Sequence, residues 1–258
     1  MRRTRYAACA LLLAGLLTAL PCHAQEHPEL RVAAYNIKHG LGMDGVVDLE
    51  RVADVLRALD ADVITLQEMD RGVERTEGVD QATRLGELLG MSAYFGDFMP
   101  YQGGHYGMAV LSRLPVVASH NHRLPDGDEP RTALEVRVAV GPGEAEVSVV
   151  GIHFYRTVEE RLAQAQALAE ALSGGGPALL VGDFNSRRGD PVMDFLGESW
   201  KILDKNGSPL TFPSDTPERE IDFVLTRPAD AFEVVEHRVI EEKVASDHRP
   251  LLVVVRLR

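Results

Sequence analysis

The spacing of hydrophobic and polar positions along the chain changes between the periods typical of helices and of strands. After Asp48, an N-cap residue, apolar side chains recur at three- and four-residue steps and predict a helix containing Leu49, Val52, Leu56 and Leu59. A second helix is predicted over 80–89, where Gly90 ends it, and a third over 158–172. The predicted buried stripe of the third helix is Leu162, Ala165, Ala169 and Leu172.

Short apolar runs between and after these helices predict β-strands. In the run 132–140, apolar and charged residues alternate, which is typical of a strand with one buried face. A turn at Gly141-Pro142-Gly143 leads into an antiparallel partner at 146–152. The segment 209–217 is predicted to be a loop, and the other predicted strands are 31–35, 63–66, 108–111, 178–181, 221–225, 232–240 and 251–257.

The order of these elements indicates a fold class. A strand–helix–strand unit occurs near the start of the chain and again after residue 146, each time with polar residues where strands end. We therefore expect an α/β fold with two sheets packed face to face, helices outside, and a cleft where the strand ends meet. No linker interrupts the pattern, which favours one domain over residues 25–258.

The first 24 residues have the pattern of a secretory signal peptide. Three arginines precede an uncharged apolar stretch from Ala7 to Leu20, and small residues occupy positions 22 and 24. The apolar stretch is short for a membrane span, so we expect cleavage before Gln25 and export to the periplasm or the medium. A retained membrane anchor is the alternative interpretation.

The composition of the exported chain limits which partners, disulfides and metal sites we expect. The first 24 residues hold three arginines and no acidic residue, so their removal changes the net charge from −12 to −15. Such a chain repels polyanions at long range, which disfavours nucleic acid as a partner without excluding it. Both cysteines, Cys9 and Cys22, lie in the removed segment, so neither a disulfide nor a thiolate zinc site is expected. The core alone must stabilise the protein, which we expect to be a monomer.

Polar residues occur where several of the buried strands begin or end. Taken singly, most have a structural interpretation, because an asparagine after a strand often forms a turn and a lone histidine is often a satisfied core residue. Asp222 is the hardest to explain in this way, since apolar residues flank it and a buried carboxylate needs a partner. Together the oxygen ligands suit Mg²⁺ or Mn²⁺, and the histidines suit acid–base chemistry or phosphate contacts. The set is Asn36, Glu68, His153, Asp183, Asn185, Asp222, Asp247 and His248.

The order of these residues along the chain resembles the endonuclease/exonuclease/phosphatase superfamily of metal-dependent phosphoesterases. The resemblance spans residues 31–256 and implies a four-layer α/β sandwich with two mostly antiparallel sheets. Subsidiary matches lie at 106–112 and 129–134. The main matching segments are Tyr35-Asn36-Ile37, Leu66-Gln67-Glu68, Ile152-His153, Gly182-Asp183-Phe184-Asn185, Ile221-Asp222-Phe223 and Ser246-Asp247-His248.

The resemblance also implies a metal site. Glu68 would bind a Mg²⁺ or Mn²⁺ ion, with Asn36 beside it and Asp247 supporting the ligand shell. Lys38 stands where some members of the superfamily have a further acidic ligand. One firmly bound ion is therefore predicted rather than two.

For the remaining residues the resemblance implies catalytic roles. Asp183 would orient or deprotonate the attacking water, and Asp222 would align His248. The side chains implied to lie near the phosphate or its leaving group are Arg131, His153, Asn185 and His248. Neither serine nor cysteine lies in a nucleophile elbow, so direct attack by water on a phosphodiester is the predicted reaction.

The substrate class stays open at the level of sequence. A secreted nuclease acting on DNA or RNA, a sphingomyelinase-like hydrolase of phospholipid head groups and a hydrolase of small phosphorylated metabolites all fit the motifs. The chain has one tryptophan and no run of basic residues after residue 5, which disfavours a nuclease. A non-catalytic binding module on the same fold is the alternative from a different class, although we would expect it to lack one of the motif residues.

Overall fold

A computed structural model of the protein describes residues 28–142 and 145–258. The predicted signal peptide and Gly143 of the predicted turn lie outside these residues. The strands and helices, in chain order, are β1 (Glu29–Asn36), α1 (Leu49–Leu59), β2 (Val63–Arg71), α2 (Gln81–Leu89), β3 (Ser92–Tyr101), β4 (Gly104–Ser112), β5 (Val116–Arg123), β6 (Thr132–Val140), β7 (Ala145–His153), α3 (Val158–Ala171), β8 (Ala178–Asp183), α4 (Pro191–Gly197), β9 (Lys201–Ile202), β10 (Asp222–Arg227), β11 (Phe232–Val239) and β12 (Leu251–Leu257).

The strands form two six-stranded sheets, with the orders β11-β12-β1-β2-β4-β3 and β5-β6-β7-β8-β10-β9. Each sheet contains one parallel pair, β1–β2 and β7–β8, and its other neighbours are antiparallel. Helix α1 connects the first parallel pair and α3 connects the second, as a parallel crossover requires. The expectation of two mostly antiparallel sheets is confirmed.

Three apolar clusters define the layers of the fold. The central cluster joins both sheets, because Val32 of β1 and Val110 of β4 pack in the same cluster as Val136 of β6 and Val181 of β8. A second cluster joins the outer face of the first sheet to α1 and α2, and a third joins the second sheet to α3 and α4. The protein is therefore a four-layer α/β sandwich, as predicted.

The first two helices begin and end on the predicted signals. Asp48 accepts a hydrogen bond from the backbone N–H of Arg51 at 3.0 Å, and Asp80 caps α2 through Thr83 at the same distance. Gly90 ends α2 in the left-handed conformation, with φ of 66°. Among the helices that the structure describes, none combines the length and apolar composition needed to cross a membrane.

The third helix buries a face that differs from the predicted stripe. Leu162 and Ala169, two members of that stripe, are only partly buried, whereas Arg161 and Gln164 are buried. The Gln164 side chain accepts a hydrogen bond from the backbone N–H of Tyr155 at 3.0 Å. The prediction was wrong here because a polar side chain whose carbonyl oxygen is hydrogen-bonded can occupy a buried position that hydrophobic periodicity assigns to apolar residues.

Four elements of the structure are absent from the sequence-based prediction. These are β3, β5, α4 and β9. Strand β5 lies at the edge of its sheet and is mostly polar and exposed, so it carries no hydrophobic alternation. Strand β3 also pairs at a sheet edge, and it contains an internal glycine and a register shift between Asp97 and Met99. Both features weaken the period-two signal on which strand prediction depends.

Candidate active site

The predicted site residues meet at one edge of the two sheets. Asn36 is the last residue of β1, and it pairs along the parallel ladder with Gln67, next to Glu68. In the second sheet three polar residues lie side by side, because His153 at the end of β7 pairs with Asp183 of β8, which pairs with Asp222 of β10. The cleft between the two sheet edges has a volume of about 410 Å³. Its lining residues are Glu68, Tyr106, Glu129, Arg131, His153, Arg156, Asp183, Asn185, Phe212, Arg219, Ile221, Asp247 and His248.

Glu68 reaches the cleft through a bulge in β2. The strand was predicted to end near this residue, but it continues to Arg71. Glu68 has a φ of 58°, and the ladder with β4 shifts register between Leu66 and Met69. A bulge redirects a side chain without ending the strand, and bulges are frequent beside active sites. The half-buried Glu68 side chain therefore faces the cleft instead of following the alternation of its neighbours.

Asn36 links the two sheets across the cleft floor. Its side-chain Nδ2 donates to Glu68 Oε1 at 3.1 Å and to Asp183 Oδ2 at 3.2 Å. The backbone carbonyl of Asn36 accepts a hydrogen bond from the Ser246 hydroxyl at 2.7 Å, which attaches the loop that carries His248. Asn36 thus holds two carboxylates, one from each sheet, at hydrogen-bond distance from a single amide.

Asp183 lies between two histidines at the centre of the site. Its Oδ2 is 3.5 Å from His153 Nε2 and 3.7 Å from His248 Nε2. Burial raises the pKa of Asp183 to about 7, and the nearby Asp222 carboxylate contributes to the increase. A carboxyl group with that pKa can exchange a proton near neutral pH, which is a property of general bases.

The segment after β8 depends on Gly182 and on a tight turn. Gly182 has a φ of 141°, and a Cβ at this position would lie 2.2 Å from the carbonyl oxygen of Ile152. The Asp183 side chain accepts a hydrogen bond from the Asn185 backbone N–H at 2.8 Å. Asn185, with φ of 47°, donates its side-chain amide to the carbonyl of Phe154 at 2.9 Å. The sequence Gly182-Asp183-Phe184-Asn185 thereby fixes the backbone on both sides of Asp183.

His248 is held by Asp222 from the back of the cleft. His248 Nδ1 lies 3.0 Å and 3.2 Å from the two carboxylate oxygens of Asp222. Burial alone lowers the pKa of His248, but the charge and hydrogen bond of Asp222 outweigh it and raise the pKa to about 10. Nδ1 therefore donates to Asp222, and the protonated ring presents its Nε2–H to the cleft.

His153 differs from His248 in charge state. Burial lowers the pKa of His153 well below its ordinary value, and the positive charge of Arg131 lowers it further. Arg131 Nη1 lies 3.4 Å from His153 Nδ1. Because a guanidinium has only donors, this Nδ1 accepts, and the neutral ring carries its proton on Nε2, which faces Asp183.

Arg131 is buried at the side of the cleft, among aromatic rings. Its guanidinium carbon lies 5.0 Å from the ring centre of Phe98 and 5.8 Å from that of Tyr106. Glu129 pairs with Arg131 Nη2 at 2.6 Å. The aromatic rings and Glu129 hold the guanidinium in one orientation, with its charge available at the cleft wall.

Asp247 lies at the cleft rim and is paired with a cation of the chain itself. Lys38 Nζ is 2.8 Å from Asp247 Oδ2. Lys38 and His39 both have left-handed backbone conformations, with φ of 48° and 45°, in the short 3₁₀ turn that follows β1. The structure thus brings Asp247 to the site, with its charge balanced by Lys38.

The donor set at the cleft fits a hard divalent cation. Among the described residues, Glu68 has no cationic side chain within salt-bridge distance, whereas Asp183 lies 3.7 Å from Nε2 of the protonated His248. The uncompensated Glu68 carboxylate meets Asp183 at the amide of Asn36. Oxygen ligands of this kind suit Mg²⁺ or Mn²⁺. A buried group with ligand atoms within 4.8 Å of one another also occurs, formed by Asp183, Asp222 and His248.

Several lining residues of the cleft were not predicted as site residues. Tyr106 and Glu129 lie in segments that carry the family resemblance, but no role followed from the sequence. Arg156 lies three residues after the end of β7, and Phe212 and Arg219 lie in the loop before β10. Arginine beside aromatic residues at a strand end is the only sequence signal that could have indicated them, and it is weak.

Comparison with known proteins gives one family. The sequence profile described as "Endonuclease/Exonuclease/phosphatase family" matches residues 33–248. An uncharacterised Escherichia coli protein, YbhP, is 28% identical over 224 residues, which cover 81% of this chain and 88% of YbhP. A crystal structure described as an endonuclease/exonuclease/phosphatase from Beutenbergia cavernae is 26% identical, with a TM-score of 0.71 over 89% of this chain and 72% of that one. A mannosyl-6-phosphatase from Bacteroides thetaiotaomicron shares the fold at 18% identity, with a TM-score of 0.70 over 88% of this chain and 99% of that one.

Proposed function

This chain belongs to the endonuclease/exonuclease/phosphatase family, and from that premise we propose that it hydrolyses a phosphodiester by direct attack of water in a metal-dependent reaction. Members of the family are generally hydrolases that act on phosphoester bonds and typically use divalent metals. We also propose that the protein acts after export, with its mature chain beginning at Gln25.

The observation that carries the proposal is the position of Asp183 between two histidines of opposite protonation state. His248 is protonated because Asp222 raises its pKa to about 10, whereas His153 is neutral. Asp183 itself has a pKa near 7. Groups whose pKa values are driven apart in one cleft have the arrangement expected for an acid–base site.

A divalent metal would be held by Glu68 and Asn36, with support from Asp247 at the rim. When bound, the ion supplies positive charge that offsets the charge of the phosphoryl oxygens. Glu68 contributes the only carboxylate of this set that lacks a cationic partner in the described part of the chain.

The side chains of the protein account for the activation of water and for the stabilisation of charge in the reaction. Asp183 accepts a proton from water as the water oxygen forms its bond to phosphorus. The bond between phosphorus and the leaving oxygen then breaks, the departing oxygen takes up a proton from solvent, and Asp183 returns the proton that it accepted to solvent. The Nε2–H of His248 and the guanidinium of Arg131 donate hydrogen bonds to the phosphoryl oxygens, where negative charge increases in the transition state. The Nε2 of neutral His153 faces Asp183 at 3.5 Å and helps to fix its orientation.

Asn185 has a positioning role in this proposal. Its side-chain amide donates to the Phe154 carbonyl, and its backbone N–H donates to Asp183. The carbonyl oxygen of the Asn185 side chain is then left to accept a hydrogen bond from the attacking water. Water held in this way is constrained in both position and orientation, which lowers the entropic cost of attack.

A substrate screen tests the proposal. Purified protein comprising residues 25–258 would be assayed on bis-p-nitrophenyl phosphate, p-nitrophenyl phosphate, plasmid DNA and sphingomyelin, with Mg²⁺, with Mn²⁺ and with a chelator. We expect metal-dependent hydrolysis of the diester, loss of activity in Asp183→Asn and wild-type activity in Asp54→Asn, a matched change on the outer face of α1. If none of these substrates is hydrolysed with either metal, although the protein still binds one of them, the result would support a binding module instead.

A further inference from the structure

Two of the acidic side chains that line the cleft are each paired with a cation, whereas two of its arginines have no acidic partner among the residues that the structure describes. Of the acidic lining residues, Glu129 is paired with Arg131, and Asp247 is paired with Lys38 from outside the lining set. Arg156 and Arg219 also line the cleft. Within residues 28–142 and 145–258, neither has a carboxylate within salt-bridge distance, and neither side chain donates a hydrogen bond to the protein.

Arg219 lies at the end of a row of three side chains in contact. Its guanidinium carbon lies 4.4 Å from the ring centre of Phe212, and the Phe212 ring lies 4.8 Å from the ring of His248. Backbone hydrogen bonds between Phe212 and Arg219 close this part of the loop. The Phe212 ring therefore separates the Arg219 guanidinium from His248, the histidine that faces the scissile phosphate in the proposed function. The N–H groups of the Arg219 guanidinium donate no hydrogen bond within the described residues.

Arg156 occupies the wall formed by the end of β7. Its guanidinium carbon lies 5.8 Å from the ring centre of Tyr155, and that of Arg131 lies 5.7 Å from the same ring. The Arg156 side chain is exposed, whereas Arg131 is buried. Arg156 thus continues the basic wall outward from Arg131.

These cations exceed what one phosphodiester requires. A phosphodiester carries a single negative charge, and the site already offers it the guanidinium of Arg131 and the ring of His248 beside the carboxylates that suit a metal. Two additional arginines without partners, in a chain of net charge −12, match a second anionic group on the same ligand. A phosphate monoester carries close to two negative charges at neutral pH and three acceptor oxygens, which two guanidinium groups can satisfy.

We propose that Arg156 and Arg219 form a second phosphate subsite, and that the substrate is a small molecule with a phosphate group beyond the scissile phosphoester. This proposal takes the identity of the scissile bond from the proposed function. The subsite itself can be tested by binding alone. A long polyanion is disfavoured because the acidic protein repels it and because the unpaired arginines lie in one cleft rather than along an extended stripe.

Two ligands that differ by one phosphate test the subsite. Adenosine 5′-phosphate and adenosine 3′,5′-bisphosphate would be titrated into protein 25–258 by calorimetry in the presence of Ca²⁺, so that binding is measured whether or not the protein is a hydrolase. We expect the bisphosphate to bind at least about tenfold more tightly than the monophosphate. In the double variant Arg156→Gln/Arg219→Met that ratio should fall to about one to threefold, because both donor forks are removed.

Matched variants and a longer ligand complete the test. Arg219→Met keeps the apolar part of the side chain on Phe212, and thermal melts verify folding. Arg84→Ala removes one positive charge from the outer helix α2 and should leave the affinity ratio unchanged. A ratio near one in the wild type, or an unchanged ratio in the double variant, contradicts the subsite. A single-stranded oligonucleotide that binds more tightly than the bisphosphate, with affinity rising with length, contradicts the small-ligand class.

Discussion

Nδ1 of His248 lies 3.0 Å from Oδ2 of Asp222, although the two residues are 26 positions apart in the sequence. Asp222 begins β10, and His248 lies in the loop before β12, so the contact joins the two sheets. It fixes the orientation of the imidazole and keeps it protonated, with Nε2 directed at the cleft. The charge of this histidine is therefore a property of the fold rather than of the residue alone.

Replacing Asp222 should remove that charge. In Asp222→Asn the amide cannot balance an imidazolium, so burial lowers the pKa of His248 from about 10, with only the charges of Asp183 and Asp247 left to oppose it. We expect kcat to fall by about 10²-fold or more, as for the loss of a charged donor to a developing oxyanion. NMR titration of the His248 ring in metal-free protein would measure the pKa, and steady-state kinetics would measure kcat. An unchanged pKa with unchanged kcat would show that Asp222 has no such role.

Replacing Asp183 should stabilise the metal-free protein while it abolishes activity. The folded-state pKa of Asp183, about 7, lies above the ordinary value of 3.8. Its contribution to stability is therefore present below pH 3.8 and is lost as the pH rises through 7. In Asp183→Asn, the melting temperature with chelator should exceed that of the wild type by about 2–4 °C at pH 8. At pH 4 the gain should disappear, and a lower melting temperature for the variant at pH 8 would contradict the raised pKa.

Glu68 is the residue on which metal affinity should depend most. Calorimetric titration of Mn²⁺ should show at least about a tenfold loss of affinity in Glu68→Ala, because a hard-cation site loses its uncompensated carboxylate. Glu87→Ala, on the exposed face of α2, is the matched control and should bind as the wild type does. Equal Mn²⁺ affinity in the wild type and in Glu68→Ala would remove Glu68 from the metal site.

Acid sensitivity of the fold should depend in part on His237, which does not line the cleft. Its side chain is fully buried, and its Nδ1 lies 3.1 Å from the carbonyl of Asp204. Burial lowers its pKa to about 3, and Lys205 adds to the decrease. Because the unfolded state takes up a proton near pH 6.5 and the folded state does not, stability is lost as the pH falls below 6.5.

A non-titrating substitution tests this pH dependence. His237→Gln can donate to the same carbonyl without taking up a proton. Between pH 6.5 and 5, the free energy of unfolding of the wild type should decrease by about 2 kcal/mol more than that of the variant. Urea unfolding at the two pH values measures the difference. Parallel decreases in both proteins would assign the acid sensitivity to other groups.

The sequence alone was sufficient to identify the site residues that lie where strands begin or end. Asp222 could be identified because apolar residues flank it in a strand, where a carboxylate requires a partner. Asn36 and Asp183 follow buried runs whose parallel partners could be inferred from the crossover pattern. The family resemblance then placed these residues in one site. In the structure Asp183 lines the cleft, and Asn36 and Asp222 hydrogen-bond to the lining residues Asp183 and His248.

The other parts of the site depend on contacts between distant segments, which leave no signal in the neighbouring sequence. The bulge that turns Glu68 into the cleft arises from a register shift against β4, so it is set by pairing between distant segments. Phe212 and Arg219 belong to a loop rich in proline and polar residues, and only the packing against His248 gives them a place. The pairing of Lys38 with Asp247 likewise depends on contact across the fold.

The central claim is that Asp183 is the base of a metal-dependent hydrolysis, and the most direct measurement is kcat for bis-p-nitrophenyl phosphate as a function of Mn²⁺ concentration. The wild type and Asp54→Asn should show the same saturable activation by Mn²⁺ and no activity with chelator. Asp183→Asn should remain folded with kcat lowered by about 10³-fold or more, because its amide cannot accept the proton of the attacking water. Wild-type kcat in folded Asp183→Asn, or hydrolysis that is independent of the metal, would contradict the account.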